Sequence, residues 1–265
     1  MTFDFLTHSL LAVLAAQASA TMHGTPISVR RWSSYEITLT ATGHYDKAYV
    51  SVDLVGVFTG PNGESILAKG FWDGGQTFRI RFTPTAEGSW TFDTVSDDPG
   101  LDGQIGSVAC IKATDGSHGF VRQSGARSRA WIHDDGTAVQ GDRIPVRLQA
   151  RERNGTESGP FDLADLQGAD RLVADALSKG LVVEIGLFDG CDGAVDGSAM
   201  YRDVEYMAAR YGAYPNVVWC LPSAASSESR RDLWRSARGL LTTLDPYFVG
   251  GTGPRVIAAS CAPTS

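Results

Sequence analysis

The residues of this chain best placed for chemistry are carboxylates. Asp189 directly follows an apolar run, Leu181-Val182-Val183-Glu184-Ile185-Gly186-Leu187, and Asp192 and Asp196 share the loop after it. Glu228 lies a few residues past a second apolar run, Val217-Val218-Trp219-Cys220-Leu221. Two carboxyl groups held across a bond can divide the work of cleaving it. One gives a proton to the leaving oxygen, and the other attacks or activates water. Asp192 and Asp196 have the chemistry to hold a cation or a ligand hydroxyl, although their spacing with Asp189 matches no calcium loop. Each acid also has a structural role open to it. Asp189 suits a loop or a helix cap, and Glu228 suits a helix N-terminus, which favours acids electrostatically. Glu184 sits inside its run, where a buried acid needs a partner, and Arg147 is a candidate. No other signature competes: there is no GxSxG elbow, HExxH pair or phosphate loop. His118 and His133 fall in turns and pair with no Ser or Cys motif. The expectation is an acid-based site with no metal and no cofactor.

What must position these acids follows from composition and periodicity. The chain has 265 residues, 43% hydrophobic and 20% charged, which is the composition of a packed globular protein. Its 30 glycines point to many tight turns and short strands. A net charge of −7 and a pI near 5.2 argue against nucleic acid or an anionic membrane as partner. Leu10 to Ala16 is a short apolar run followed by Ala18-Ser19-Ala20. It reads as a leader over residues 1–20, too short to span a bilayer, although no Lys or Arg precedes it. A buried N-terminal helix is the alternative. With the leader removed, the expected location is secreted or periplasmic, with no membrane attachment. The four cysteines, Cys110, Cys191, Cys220 and Cys261, allow three pairings, and their spacing suggests no zinc. Cys191 and Cys220 fall near the ends of two neighbouring strands and form the candidate pair, with buried free thiols as the alternative.

Residues 24–122 carry strand periodicity. Tyr35, Ile37 and Leu39 share one face, Tyr49 to Phe58 is a longer β-branched run, and Phe78 to Phe82 and Trp90 to Phe92 alternate. Turn signals such as Gly60-Pro61-Asn62-Gly63 and Asp73-Gly74-Gly75 separate them. The pattern predicts an all-β antiparallel sandwich of the immunoglobulin-like kind, with the inward residues of two sheets as its core. Trp72 and Trp90 suit either sugar stacking or that core, and the step of Trp90 with Phe92 favours the core. Val57 to Gly63, Gly70 to Gly75, Arg79 to Pro84, Glu87 to Phe92, Leu101-Asp102-Gly103 and Gly119 to Arg122 come in one fixed order. This series resembles the uncharacterised β-sandwich domain that precedes apiosidase-like barrels in bacterial glycoside hydrolases.

Residues 123–265 change period. Asp162 to Lys179 reads as a helix with Leu163, Leu166, Ala169, Leu172 or Val173, and Ala176 on one face, capped by Asp162 and closed by Gly180. A buried strand follows over 181–187. A helix opens at Ser198, with Met200, Val204, Met207 and Tyr211 inside. A strand runs over 217–221, and a capping box of Ser229 and Asp232 opens a third helix. Continuous apolar strands alternating with helices mean a parallel sheet covered by helices. The stretch from Phe161 to Phe188, and above all Tyr206 to Trp219, is similar to the third and fourth βα units of an apiosidase-like barrel.

The resemblance implies a two-domain chain: an all-β sandwich over 24–122, then an α/β region over 123–265 resembling part of a (β/α)8 barrel. Residues 123–265 fall short of the about 250 residues of a closed barrel. Open sheet edges, and self-association through them, are the expected consequence. The resemblance further implies a carbohydrate-active protein of glycoside hydrolase type, acting on or binding a plant or microbial polysaccharide. Its acids would sit at strand C-termini. The family's fourth strand ends in a motif with an acid, whereas this chain reads Pro222-Ser223-Ala224-Ala225 after Leu221. The candidate catalytic residues are therefore Asp189 and Glu228, and the candidate substrate-binding residues Asp192 and Trp219. A non-catalytic carbohydrate-binding or scaffold protein is the alternative.

Overall fold

The computed structural model describes residues 27–125, 130–140, 143–147, 162–187, 197–222, 228–248 and 253–259. Its first part is one seven-stranded sheet, in the order β1-β7-β6-β3-β4-β5-β2. The strands are β1 (Ile27–Arg30), β2 (Tyr35–Thr40), β3 (Leu54–Thr59), β4 (Ser65–Trp72), β5 (Thr77–Phe82), β6 (Gly88–Ser96) and β7 (Ile105–Ile111), with a one-turn helix α1 (Ala48–Ser51) between β2 and β3. β1 and β7 run parallel, and the other pairs are antiparallel.

The two edge strands, β1 and β2, are consecutive in the chain and separated only by residues 31–34. So short a link forces the sheet to roll until its edges meet. The Arg31 N–H donates to the Ile111 carbonyl at 2.8 Å and the Trp32 N–H to the Pro84 carbonyl at 3.0 Å, stitching the corner. Trp32 takes a left-handed φ of 65° there, a conformation uncommon outside glycine. Inside the roll, the Phe58 and Phe82 rings stack at 4.0 Å with Trp90 against Phe82. Trp90 is fully buried, as its step with Phe92 predicts, while Trp72 keeps some exposure.

This corrects the expected fold class. The front of the chain is not a free-standing immunoglobulin-like sandwich of two facing sheets. It is one continuous mixed sheet, nearly closed on itself and built into the rest of the molecule. Phe71 of β4 belongs to the core formed by the helices and the parallel sheet. A second correction is local. The Tyr49–Phe58 run is not a single strand, because Ala48–Ser51 is helical and β3 begins at Leu54. Burial of Ala48 turns that segment inward.

A two-stranded pair, β8 (Arg122–Gln123) and β9 (Trp131–Ile132), leads to the second part. There β10 (Arg143–Arg147), β11 (Val182–Gly186), β12 (Val217–Pro222) and β13 (Val256–Ala259) form a four-stranded, all-parallel sheet in sequence order. Helices α2 (Leu163–Ser178), α3 (Gly197–Tyr211) and α4 (Glu228–Leu244) connect its strands. The expected helix faces are buried except at Leu163 and Met200, which keep some exposure. α2 buries Leu166, Ala169, Val173 and Ala176, and the Asp162 carboxylate accepts the Ala164 N–H at 2.8 Å. Gly180 follows at φ 69°, the left-handed position that closes a helix. α3 buries Val204, Met207 and Tyr211, and α4 buries Leu233, Ala237 and Leu244. α4 begins at Glu228, one residue before the Ser229 expected to cap it.

A charged seam joins the two parts. Arg81 of β5 donates to both oxygens of Asp170 on α2, at 3.0 and 2.8 Å, and to the Arg210 carbonyl at 2.6 Å. Arg210 of α3 donates to the same carboxylate at 3.0 and 2.6 Å, and to Asp73 at 2.9 Å. Further along, the Thr83 N–H donates to the Tyr247 hydroxyl at 2.8 Å.

Candidate functional site

Four parallel strands place all their C-terminal ends on one edge. The register sets Arg147 beside Gly186 and Gly186 beside Cys220, and Pro222 beside Ala259. The last residues of these strands are Arg147, Gly186, Pro222 and Ala259, so none of the four described tips is an acid. In an open parallel arrangement this edge is where loops gather and ligands bind.

Glu184 lies in the middle of β11. Its side chain is 17% exposed, and Oε1 lies 2.8 Å from Nη1 of Arg143 on β10. A partly buried carboxylate held by a guanidinium is a stable ion pair and gives Glu184 its partner. Glu228 is exposed at the first residue of α4, where the helix dipole favours it. Asp189 and Asp192, and Asp196 with them, lie outside the described residues, as do Cys191 and Cys261. The position of Asp189 relative to Glu228 therefore also falls outside the described residues. Cys110 is a buried free thiol, and burial pushes its pKa up to about 11.

Trp219 stands beneath the edge, fully buried. Its indole N–H donates to Asp245 Oδ2 at 2.8 Å. The Tyr247 N–H also donates to Asp245, at 2.9 Å, and Arg255 Nη1 lies 3.5 Å from the carboxylate. Arg255 spends its other donors on the carbonyls of Gly212, Tyr214 and Val217. Burial raises the Asp245 pKa, and burial also lowers that of Arg255, to about 10. This cluster braces β12 against the end of α4 and the start of β13, and Trp219 has no surface left to face a ligand.

Sequence reading missed the groups that gather between the two parts. Burial works against the charge of Asp170, but the hydrogen bonds from Arg81 and Arg210 outweigh it and hold the carboxyl below its ordinary value. Arg81 and Arg79 alternate with apolar residues in β5, the pattern of an outward face. In fact α2 and α3 cover Arg81, leaving its side chain 4% exposed. Lys69 of β4 likewise meets Glu205 of α3 at 3.0 Å. The signal available was the arginine in a strand whose opposite face is aromatic, but nothing local says what covers it.

Among the described residues, no group of three or more His, Cys, Asp or Glu is placed to hold a metal ion. None of the described helices is long and apolar enough to cross a membrane.

Residues 28–97 match the family described as a domain of unknown function, DUF5060. A Bacteroides vulgatus ATCC 8482 protein, described as a "putative glycoside hydrolase", superposes with a TM-score of 0.66 at 18% identity, over 83% of this chain and 54% of that one. The fold is shared. It is shared across both parts at once, since a match of that extent cannot lie within the rolled sheet or the parallel sheet alone. The chain spans about half the length of that structure. A glycoside hydrolase family 5 structure from the same organism gives a TM-score of 0.37 at 11% identity, over 48% of this chain and 37% of that one. A family 39 glycoside hydrolase from the gut symbiont Bacteroides cellulosilyticus WH2 gives 0.28 at 12% identity, over 88% and 49%. No curated protein sequence matches the chain.

Proposed function

We propose that this chain is a secreted carbohydrate-active protein of glycoside hydrolase ancestry, acting on or binding a plant or microbial polysaccharide. The observation that carries the reading is the likeness to a glycoside hydrolase-like fold at a TM-score of 0.66. In this chain that fold includes a parallel sheet whose strand C-termini share one edge. The polysaccharide lies along that edge. Hydrolysis there needs two carboxyl groups, one protonating the leaving oxygen and one acting as nucleophile or base. Asp189, directly after β11, and Glu228, at the start of α4, are the residues proposed for these roles, with Asp192 on a sugar hydroxyl. Export rests on the apolar leader at residues 1–20.

A second reading, binding without cleavage, is favoured by one observation. β12 ends in Leu221-Pro222, where the resembling barrels carry an acid. Reducing-sugar release across pectic and hemicellulosic polysaccharides separates the two. Release abolished by Asp189→Asn or Glu228→Gln supports the enzyme. Binding without release supports the second reading. Neither binding nor release from folded protein would sink both.

The outer strands of the parallel sheet, β10 and β13, each have one side unpaired among the described residues. Exposed edges of this kind invite pairing, and we include self-association through them in the proposal. Light scattering is expected to give more than the monomer mass, and a strictly monomeric mass removes this part.

A further inference from the structure

A cleft of about 120 Å3 opens between α1, β4 and the first half of α3. The rings of Tyr49, Trp72, Tyr201 and Tyr206 line it. Two of them are fixed. The Trp72 indole N–H donates to the Gly75 carbonyl at 2.8 Å, and the Tyr206 hydroxyl donates to the Trp72 carbonyl at 2.7 Å. The other two are available: Tyr201 is 43% exposed, and neither its hydroxyl nor that of Tyr49 has a hydrogen-bond partner among the described residues. Lys69 bridges two carboxylates in the wall, 2.9 Å from Asp53 and 3.0 Å from Glu205.

We propose that this cleft is a saccharide subsite that takes one unit of a neutral glycan. Fixed aromatic faces with a few convergent polar groups are the usual furniture of a small-ligand site, and ring faces pack well on the apolar face of a pyranose. Carboxylates already oriented by Lys69 accept sugar hydroxyls without themselves being left unpaired. Charge selects the class. Asp53 and Glu205 cancel Lys69 and Arg202 in the lining, and the whole chain carries −7. An anionic glycan therefore finds neither local nor long-range attraction. The volume holds several waters, which suits a single ring with its neighbours in solvent.

The inference rests on the carbohydrate reading above and adds a place and a ligand class to it. Calorimetric titration of the full chain with neutral gluco-, xylo- and manno-oligosaccharides, and with oligogalacturonides, tests it. A neutral oligosaccharide is expected to bind. Tyr201→Ala is expected to weaken that binding about tenfold, the order of one lost aromatic contact with its area. Tyr201→Phe, which keeps the ring, is expected to weaken it less. Tyr201 is a surface residue, and an unchanged melting temperature identifies the loss as one of binding. Unaltered affinity in Tyr201→Ala, or binding of oligogalacturonides alone, overturns the subsite and leaves the carbohydrate reading standing. A wild-type chain that neither binds nor cleaves any glycan overturns the carbohydrate reading itself.

Discussion

At Asp170, two guanidinium groups share one carboxylate. The Arg210 side chain is fully buried and Arg81 is 4% exposed. Removing the carboxylate leaves Arg210 only Asp73 and Arg81 only Glu36 as acidic partners, and breaking a buried pair in this way costs up to about 3–5 kcal/mol. Asp170→Asn is expected to lose that much in urea denaturation at neutral pH, and a loss under 1 kcal/mol would show that solvent reaches the seam. The carboxyl's pKa is depressed below its ordinary 3.8 in the fold. Its contribution to stability is therefore complete above 3.8 and lost as pH falls below that value through the depressed one. Wild-type stability is expected to fall across this acid window more steeply than that of Asp170→Asn. Parallel acid titrations of the two proteins would contradict the assignment. Trp219 offers a second test. Trp219→Phe keeps most of the packing but removes the donor to the buried Asp245 carboxylate. The expected cost is about 1–3 kcal/mol, read from the same denaturation curves. A neutral outcome would mean that Tyr247 and Arg255 satisfy Asp245 without the indole.

Among the elements, α2 shows how a local signal becomes structure. Asp162 accepts the Ala164 N–H at 2.8 Å, satisfying one of the donors that a helix start leaves open. Asp162→Ala is expected to cost about 1 kcal/mol, with a matching fall in melting temperature, while Asp162→Ser is expected to retain most of the stability. Equal losses in the two variants would deny the cap its role. Elements of this kind were legible because their information is local. The 3.6-residue stripe of α2, the apolar runs of β11 and β12 and the cap and stop residues all lie within a few positions of each other. α1 was not legible, since Tyr49, Val50 and Val52 have strand propensity and only tertiary burial of Ala48 decides the turn. Nor was the shape of the front sheet. Alternation with period two reads the same in a sandwich and in a rolled sheet. The difference lies in which strands become neighbours, and the short link between β1 and β2 sets that only in the folded chain. The acids of the proposed site were legible as types and positions. Their geometry was not, because a loop's path is fixed by contacts that no sequence period encodes.

At the scale of the molecule, the question is whether the rolled sheet and the parallel sheet are stable apart. Three contacts between them lead us to expect that they are not. Phe71 leaves β4 to join the core of the helices, with its ring 6.2 Å from that of Tyr206 in an edge-on contact. Arg81 finds its carboxylate 89 positions away on α2. Thr83 gives its N–H to Tyr247 and its hydroxyl to the Ala213 carbonyl, at 2.8 and 2.5 Å. Pulling the parts apart would expose an aromatic side chain, a guanidinium and its carboxylate, and paired backbone groups together. Each of these costs on the order of 1–5 kcal/mol, comparable in sum to the whole stability of an ordinary domain. Neither part is then expected to melt while the other stays folded. Differential scanning calorimetry of the full chain is expected to show one endotherm, with the calorimetric and van't Hoff enthalpies in agreement. Asp170→Asn is expected to lower that single transition as a whole. Two resolved transitions, with only one of them moved by the substitution, would mean that the seam is a docking contact between independent domains and that the rolled sheet folds by itself.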